Sequence, residues 1–119
     1  MPAYLIYLCY SVNDRKELEK YWEVTQVTFQ GQRMKIHAAY TPFEVLEGDD
    51  DVQGVVIAEF PSFEACKAWY DSPGYVDGRQ HRIRGAQYLG MLVDGGYTPV
   101  DERMPQTKGN LSASAVPPA

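Results

Sequence analysis

A chain of 119 residues is long enough to build a core without disulfides or a structural metal, and it falls in the range of one ordinary domain. Its hydrophobic fraction of 45% and aromatic fraction of 13%, with nine tyrosines, exclude a wholly disordered chain. A formal net charge of −5 opposes phosphate backbones and anionic lipid, so neither nucleic acid nor a membrane is an expected partner, and a small-molecule ligand is.

Tyr4 to Cys9 is an uninterrupted apolar and aromatic run, the mark of a strand covered on both faces. Asn13 and Asp14 then offer capping side chains, and Leu18, Tyr21, Trp22 and Thr25 recur at helical spacing, which predicts a helix over 14–29, ended near Gly31. Met34, Ile36 and Ala38 alternate with Arg33, Lys35 and His37, as on an edge strand with one wetter face. Pro42 and the cluster Gly48-Asp49-Asp50-Asp51 interrupt the chain before a second buried strand, Val55 to Phe60. A helix opens at Pro61-Ser62, carries Phe63, Cys66, Trp69 and Tyr70 on one stripe, and closes at Ser72-Pro73-Gly74. An irregular basic stretch is expected next, followed by a last strand, Tyr88 to Val93.

The order β-α-β-β-α-β is the split βαβ pattern: an α+β domain of ferredoxin-like topology, a four-stranded antiparallel sheet with two helices on one face. Because the first and third strands are apolar on both sides, the face without helices needs a cover, and a second copy of the chain is the simplest one. A homodimer is therefore expected, with residues 1–96 forming the domain and 97–119, rich in Pro, Ser and Gly, a mobile tail or arm. Cys9 and Cys66 lie in apolar runs and read as buried thiols. The opening residues have no cationic, small-residue-terminated leader, and no run approaches a membrane span, so the expected location is the cytoplasm.

The runs Glu44-Val45-Leu46-Glu47-Gly48, Val55 to Phe60, Pro61-Ser62-Phe63-Glu64-Ala65, Ala68-Trp69-Tyr70-Asp71-Ser72-Pro73-Gly74-Tyr75 and Leu92-Val93-Asp94-Gly95 occur in a familiar order. Over residues 4–95 the chain resembles the uncharacterised domain-of-unknown-function family numbered 1330, within the dimeric α/β-barrel superfamily. The resemblance implies the same fold and dimer, and an arginine ahead of the last strand, where Arg82 stands. It implies no single reaction, since the superfamily includes cofactor-independent monooxygenases, lactone isomerases, polyketide cyclases, haem-degrading enzymes and plain ligand binders. One departure stands out: where the family is usually glycine-rich after the second strand, this chain has His37-Ala38-Ala39-Tyr40-Thr41.

Imidazole is the side chain best suited to move protons near neutral pH, which singles out the only histidines, His37 and His81. His37 otherwise reads as a solvated strand residue. His81 lies in Arg79-Gln80-His81-Arg82-Ile83-Arg84, whose three arginines either hold a substrate anion or pair with Asp71 or Asp77 in a solvated loop. Tyr7, Tyr40, Tyr75, Tyr88, Trp22, Trp69 and Tyr70 are candidates to line a pocket for a flat organic ligand, although Trp22, Trp69 and Tyr70 also suit the core. The Asp49-Asp50-Asp51 run lacks the later ligands of a calcium loop, and no zinc spacing is present, so no metal is expected.

These residues point to a cofactor-independent small-molecule enzyme acting by proton transfer on a carbonyl-bearing or aromatic substrate, of isomerase, cyclase or monooxygenase type. His81 or His37 is then the acid/base and Arg82 stabilises negative charge, with Tyr40, Tyr75, Arg84, Trp69 and Tyr7 binding substrate. The alternatives are a non-catalytic dimeric binding or accessory protein, and a haem-binding protein with an axial histidine.

Overall fold

The computed structural model describes residues 1–104. Strand β1 (Ala3–Val12) is followed by α1 (Arg15–Thr25), a 3-10 turn over Gln26–Phe29, β2 (Lys35–Ala39), β3 (Gly54–Phe60), α2 (Phe63–Tyr70), α3 (Pro73–Gly85) and β4 (Ala86–Asp94). The four strands pair antiparallel in the order β2-β3-β1-β4, which places the two most apolar strands at the centre. This is the α+β, ferredoxin-like architecture. The expected tail begins within the described residues with a 3-10 turn at Val100–Glu102, and its remainder, 105–119, lies outside them.

Local chemistry accounts for the element boundaries. Asp14 caps α1 by accepting from the backbone N–H groups of Lys16 and Glu17, and Leu18, Tyr21 and Thr25 form its buried stripe. Ser62 caps α2 by accepting from Ala65 N–H at 3.0 Å.

The stretch expected to be irregular is instead a helix, α3, so three helices rather than two cover the sheet. Its buried stripe is Tyr75, Gly78, Arg82 and Gly85, a helical spacing carried by two glycines and a cation, so no hydrophobic periodicity betrays it. Those glycines let α3 lie close against α1. A Cβ on Gly78 would run into the Thr25 side chain, and one on Gly85 would come within 2.8 Å of the Asp14 carbonyl oxygen.

Period-two alternation sorts the sheet into two faces. Ala3, Leu5, Tyr7 and Cys9 of β1 face the helices with Ala58, Phe60, Cys66, Leu18, Tyr21, Trp69 and Tyr75 in one core. The opposite face carries Ile6 and Leu8 beside Val55 and Ile57, and the exposed Leu89, Met91 and Val93 of β4. Cys9 and Cys66 are free, buried thiols. Among the described residues no helix is long and apolar enough to cross a membrane.

Candidate functional site

Two strand glycines set the geometry of the helix-covered face. In the sheet register Tyr7 stands opposite Gly90, and Cys9 opposite Gly54. A Cβ on Gly90 would lie 2.6 Å from Tyr7 Cε1, and one on Gly54 2.9 Å from Tyr40 Cδ1. Each glycine is thus the seat of a tyrosine ring lying across the strand, a close approach that no side chain permits.

From these seats the phenols meet. Tyr75 Oη, on a fully buried residue, lies 2.8 Å from Tyr7 Oη and 2.7 Å from Tyr21 Oη, so strand β1 and helices α1 and α3 are joined by one hydroxyl chain. A second pair, Tyr40 Oη and Tyr88 Oη, is 2.7 Å apart, and Trp22 Nε1–H donates to Tyr40 Oη at 3.2 Å. Burial pushes the phenols of Tyr7, Tyr21, Tyr75 and Tyr88 above their ordinary value, so near neutral pH they are hydroxyl donors and not bases.

Arg82 enters this setting from α3. It is only 7% exposed, and its guanidinium carbon lies 4.7 Å from the Tyr7 ring, 5.2 Å from Tyr88 and 5.5 Å from Tyr21. Its Nε–H is buried without a hydrogen-bond partner, and among the described residues no carboxylate pairs with it. A guanidinium stays protonated in proteins. Each cation–π contact contributes about 0.5 to 2 kcal/mol, whereas burying an ion costs several kcal/mol, so the cage softens the burial without supplying the missing negative partner.

Two cavities flank the cage. The first, about 410 Å³, is walled by Tyr7, Tyr70, Arg82, Tyr88, Cys66 and Leu92. The second, about 640 Å³, lies under α1 and the 3-10 turn, between Trp22, Phe29, Ile36, Tyr40 and Val56, and Tyr7 borders both. Burial pushes the Cys66 thiol up to about 11, so it contributes bulk to the first cavity and little thiolate. A guanidinium and phenol donors on one cavity wall are chemically complementary to an oxygen anion, such as an enolate, phenolate or carboxylate.

The residues singled out in the sequence are dispersed. Arg82, Tyr7, Tyr75 and Tyr40 belong to the cage and its two hydroxyl networks. Arg82 does not pair with Asp71 or Asp77 from a solvated loop, because α3 turns it inward.

Its neighbours in sequence point elsewhere. His81 Nδ1 lies 2.9 Å from Glu17 Oε1, and Arg84 Nε–H donates to the same oxygen at 3.3 Å, a tie between α3 and α1. That His81 contact, opposed by burial and assisted by Arg84, holds the Glu17 carboxyl below its ordinary value. Arg79 stacks 4.0 Å over Tyr70 and donates to its carbonyl. His37 sits at a bulge in β2 on the opposite face of the sheet, its Nε2 2.7 Å from Glu59 Oε1. Neither histidine is in the wall of either cavity. Trp69 packs against Tyr75, Phe60 and Phe29 and donates to Thr28 Oγ1, a core position. Among the described residues no group of acidic, histidine or cysteine side chains gathers to hold a metal.

Tyr21, Gly54 and Gly90 were not evident as site residues. The available signal was a glycine inside the last apolar strand, Gly90, and one at the very start of the third, Gly54, since glycine in a strand marks a close approach by some other group.

A family model described as a domain of unknown function (DUF1330) matches residues 2–96. No curated protein matches the chain. Among solved structures, a protein of unknown function from Rhodopseudomonas palustris is 17% identical, with a TM-score of 0.65 over 82% of this chain and 84% of that one. SnoaB, a cofactor-independent oxygenase from Streptomyces nogalater, is 18% identical, with a TM-score of 0.52 over 82% of this chain and 94% of that one. A dimeric protein of unknown function and ferredoxin-like fold from Bacteroides fragilis is 12% identical, with a TM-score of 0.52 over 79% of this chain and 96% of that one. At these identities the likeness is one of fold.

Proposed function

The chain belongs to the DUF1330 family, and from that footing we propose that it is a small-molecule enzyme that stabilises an oxygen anion formed from a carbonyl-bearing or phenolic substrate. The observation that carries this reading is Arg82, a buried cation caged by tyrosine rings at the wall of a cavity and lacking a negative partner among the described residues. Loss of a proton beside a carbonyl moves negative charge onto oxygen. A guanidinium already desolvated and already in place stabilises that charge more than the neutral ground state, which is the differential binding catalysis requires. Isomerisation, cyclisation and cofactor-independent oxygenation all pass through such an anion, and the last is the activity of the fold neighbour SnoaB. In this reading Tyr7 donates to the anion and Tyr75 supports Tyr7 through the hydroxyl chain.

His81 and His37 are the groups suited to accept the proton near neutral pH, and each already engages a carboxylate. Neither borders a cavity: proton transfer to His81 needs bridging water, and the sheet itself stands between His37 and the cage. The same observation favours a second reading, in which the cage holds a preformed organic anion without turning it over.

Proton exchange separates the two. A simple aryl ketone such as 1-tetralone, whose α-protons exchange slowly in buffer, should lose its α-proton NMR signal faster in deuterium oxide when the protein is present, and Arg82→Met should slow that loss about tenfold or more. Binding without accelerated exchange would leave the second reading standing and remove the first.

A second copy of the chain is proposed to cover the open sheet face, supported by the apolar side chains of Ile6, Leu8, Leu89, Met91 and Val93 there and by the dimeric fold neighbour. Light scattering at high micromolar concentration should return the dimer mass, and a monomer would overturn it.

A further inference from the structure

We infer that Tyr40 is a gate dividing one long cleft into two, so that its position sets whether the site takes a single-ring anion or a flat, fused-ring one. This rests on the reading of Arg82 as the anion's counter-charge. Tyr7 borders both cavities, and the wall of the second at Tyr40 is joined to the wall of the first at Tyr88 by a hydroxyl contact of 2.7 Å.

Tyr40 has the properties of a movable partition. Its φ of 58° lies in the left-handed region, where a bulky aromatic residue is a true outlier and the surroundings must hold it. What holds it is specific: its N–H donates to Val55 O at 2.8 Å, its hydroxyl meets Tyr88, Trp22 donates to that hydroxyl, and its ring rests on Gly54. Yet the residue is 42% exposed, and residues 41–53 after it form neither helix nor strand. Swinging the ring off Gly54 exchanges two hydroxyl hydrogen bonds for solvent ones and leaves Tyr88 free to donate to a ligand.

The opened cleft has a polarity. Arg82 stands in the first cavity, and the second is walled mainly by Trp22, Phe29, Ile36 and Val56, its one cation, Arg15, being paired with Glu19. A ligand that fills both carries its anionic oxygen at one end and fused aromatic rings at the other. With the gate closed, only the anionic end is accommodated. The His37-Ala38-Ala39-Tyr40 segment, unusual for its bulk in the sequence, thereby acquires a role through its last residue.

The test is a ring-number series of constant charge: benzoate, 2-naphthoate and anthracene-2-carboxylate, titrated into the full chain by calorimetry or fluorescence. Tyr40→Gly suits the left-handed backbone and removes the partition. Relative to the unaltered protein it should bind anthracene-2-carboxylate about tenfold more tightly while benzoate changes less than about threefold. Tyr40→Phe keeps the ring but loses the hydroxyl contacts, and should give an intermediate gain.

If Tyr40→Gly melts at a lower temperature, the Phe variant alone decides, and no gain for the three-ring acid overturns the gate. Equal weakening of all three acids, or an unchanged ranking by ring number, overturns it as well. Arg82→Met keeps the two ideas apart. If it binds benzoate as well as the unaltered protein does, the counter-charge reading fails. If it loses benzoate while Tyr40→Gly leaves the ranking unchanged, only the gate fails. No binding of any acid by any variant overturns both.

Discussion

Replacing Tyr75 by Phe removes one oxygen atom from the centre of the molecule and leaves two buried hydroxyls, those of Tyr7 and Tyr21, without the partner each now has at 2.8 and 2.7 Å. A buried hydrogen bond contributes about 1 kcal/mol net, and an orphaned buried hydroxyl costs about 1 to 3 kcal/mol. Both orphans border cavities that water can enter, which favours the lower figure. The expected loss is therefore about 2 kcal/mol in all, or roughly 8 to 16 °C in Tm for a domain of this size. The aromatic contacts of Tyr75 with Trp69, Tyr70 and Tyr21 survive, because Phe keeps the ring. Thermal melts monitored by far-UV circular dichroism suffice. The triple variant Tyr7→Phe/Tyr21→Phe/Tyr75→Phe leaves no orphan among the three, so its loss should be smaller than the sum of the three single losses. A Tyr75→Phe protein melting within about 2 °C of the original would refute the hydroxyl chain as a stabilising element.

Gly90→Ala puts a Cβ 2.6 Å from Tyr7 Cε1, and Tyr7 is tied at its hydroxyl, so overpacking of about 1 to 3 kcal/mol should outweigh the gain from replacing a strand glycine. Adding Tyr7→Leu should cost less in the Gly90→Ala background than in the parent chain, and strict additivity of the two melts would count against the seat. Cys9 and Cys66 should resist Ellman's reagent at pH 8 in the native protein and react fully in guanidinium. Both are buried, and the Cys66 thiol, raised to about 11, is thiolate in about one part in a thousand at that pH. Rapid native labelling of both would mean that the helix layer opens far more readily than its packing implies.

The fold was largely legible because its strands and two of its helices announce themselves by period. An unbroken apolar run marked β1 and one interrupted only by Glu59 marked β3, and Asp14 and Ser62 stood where the caps of α1 and α2 are found. Helix α3 was hidden because it buries glycine, tyrosine and arginine rather than aliphatic side chains, and Pro73-Gly74 ahead of it resembles a loop signal. The same concealment governed the site. Arg82 drew notice as one of a cluster, yet the cluster does not act together: within two turns the helix sends Arg79 to Tyr70, Arg84 to Glu17 and Arg82 into the cage. The histidines drew notice by chemistry alone, and tertiary structure gives each a carboxylate outside the cavities. Long-range pairs such as Tyr7 with Tyr75 leave no trace in local spacing, because the chain meets itself across 68 positions.

The central claim, that Arg82 awaits an anion, is most directly tested by comparing benzoate with benzamide, which have the same shape and differ in charge. The unaltered protein should prefer benzoate by about tenfold or more, the worth of a charge-assisted contact, and Arg82→Met should abolish the preference. Arg82→Met should also melt no lower than the original, since it removes a buried cation that has no anionic partner among the described residues, and an unpaired buried ion costs several kcal/mol. Equal affinity for the two ligands, or a benzoate preference that survives in Arg82→Met, would contradict the account.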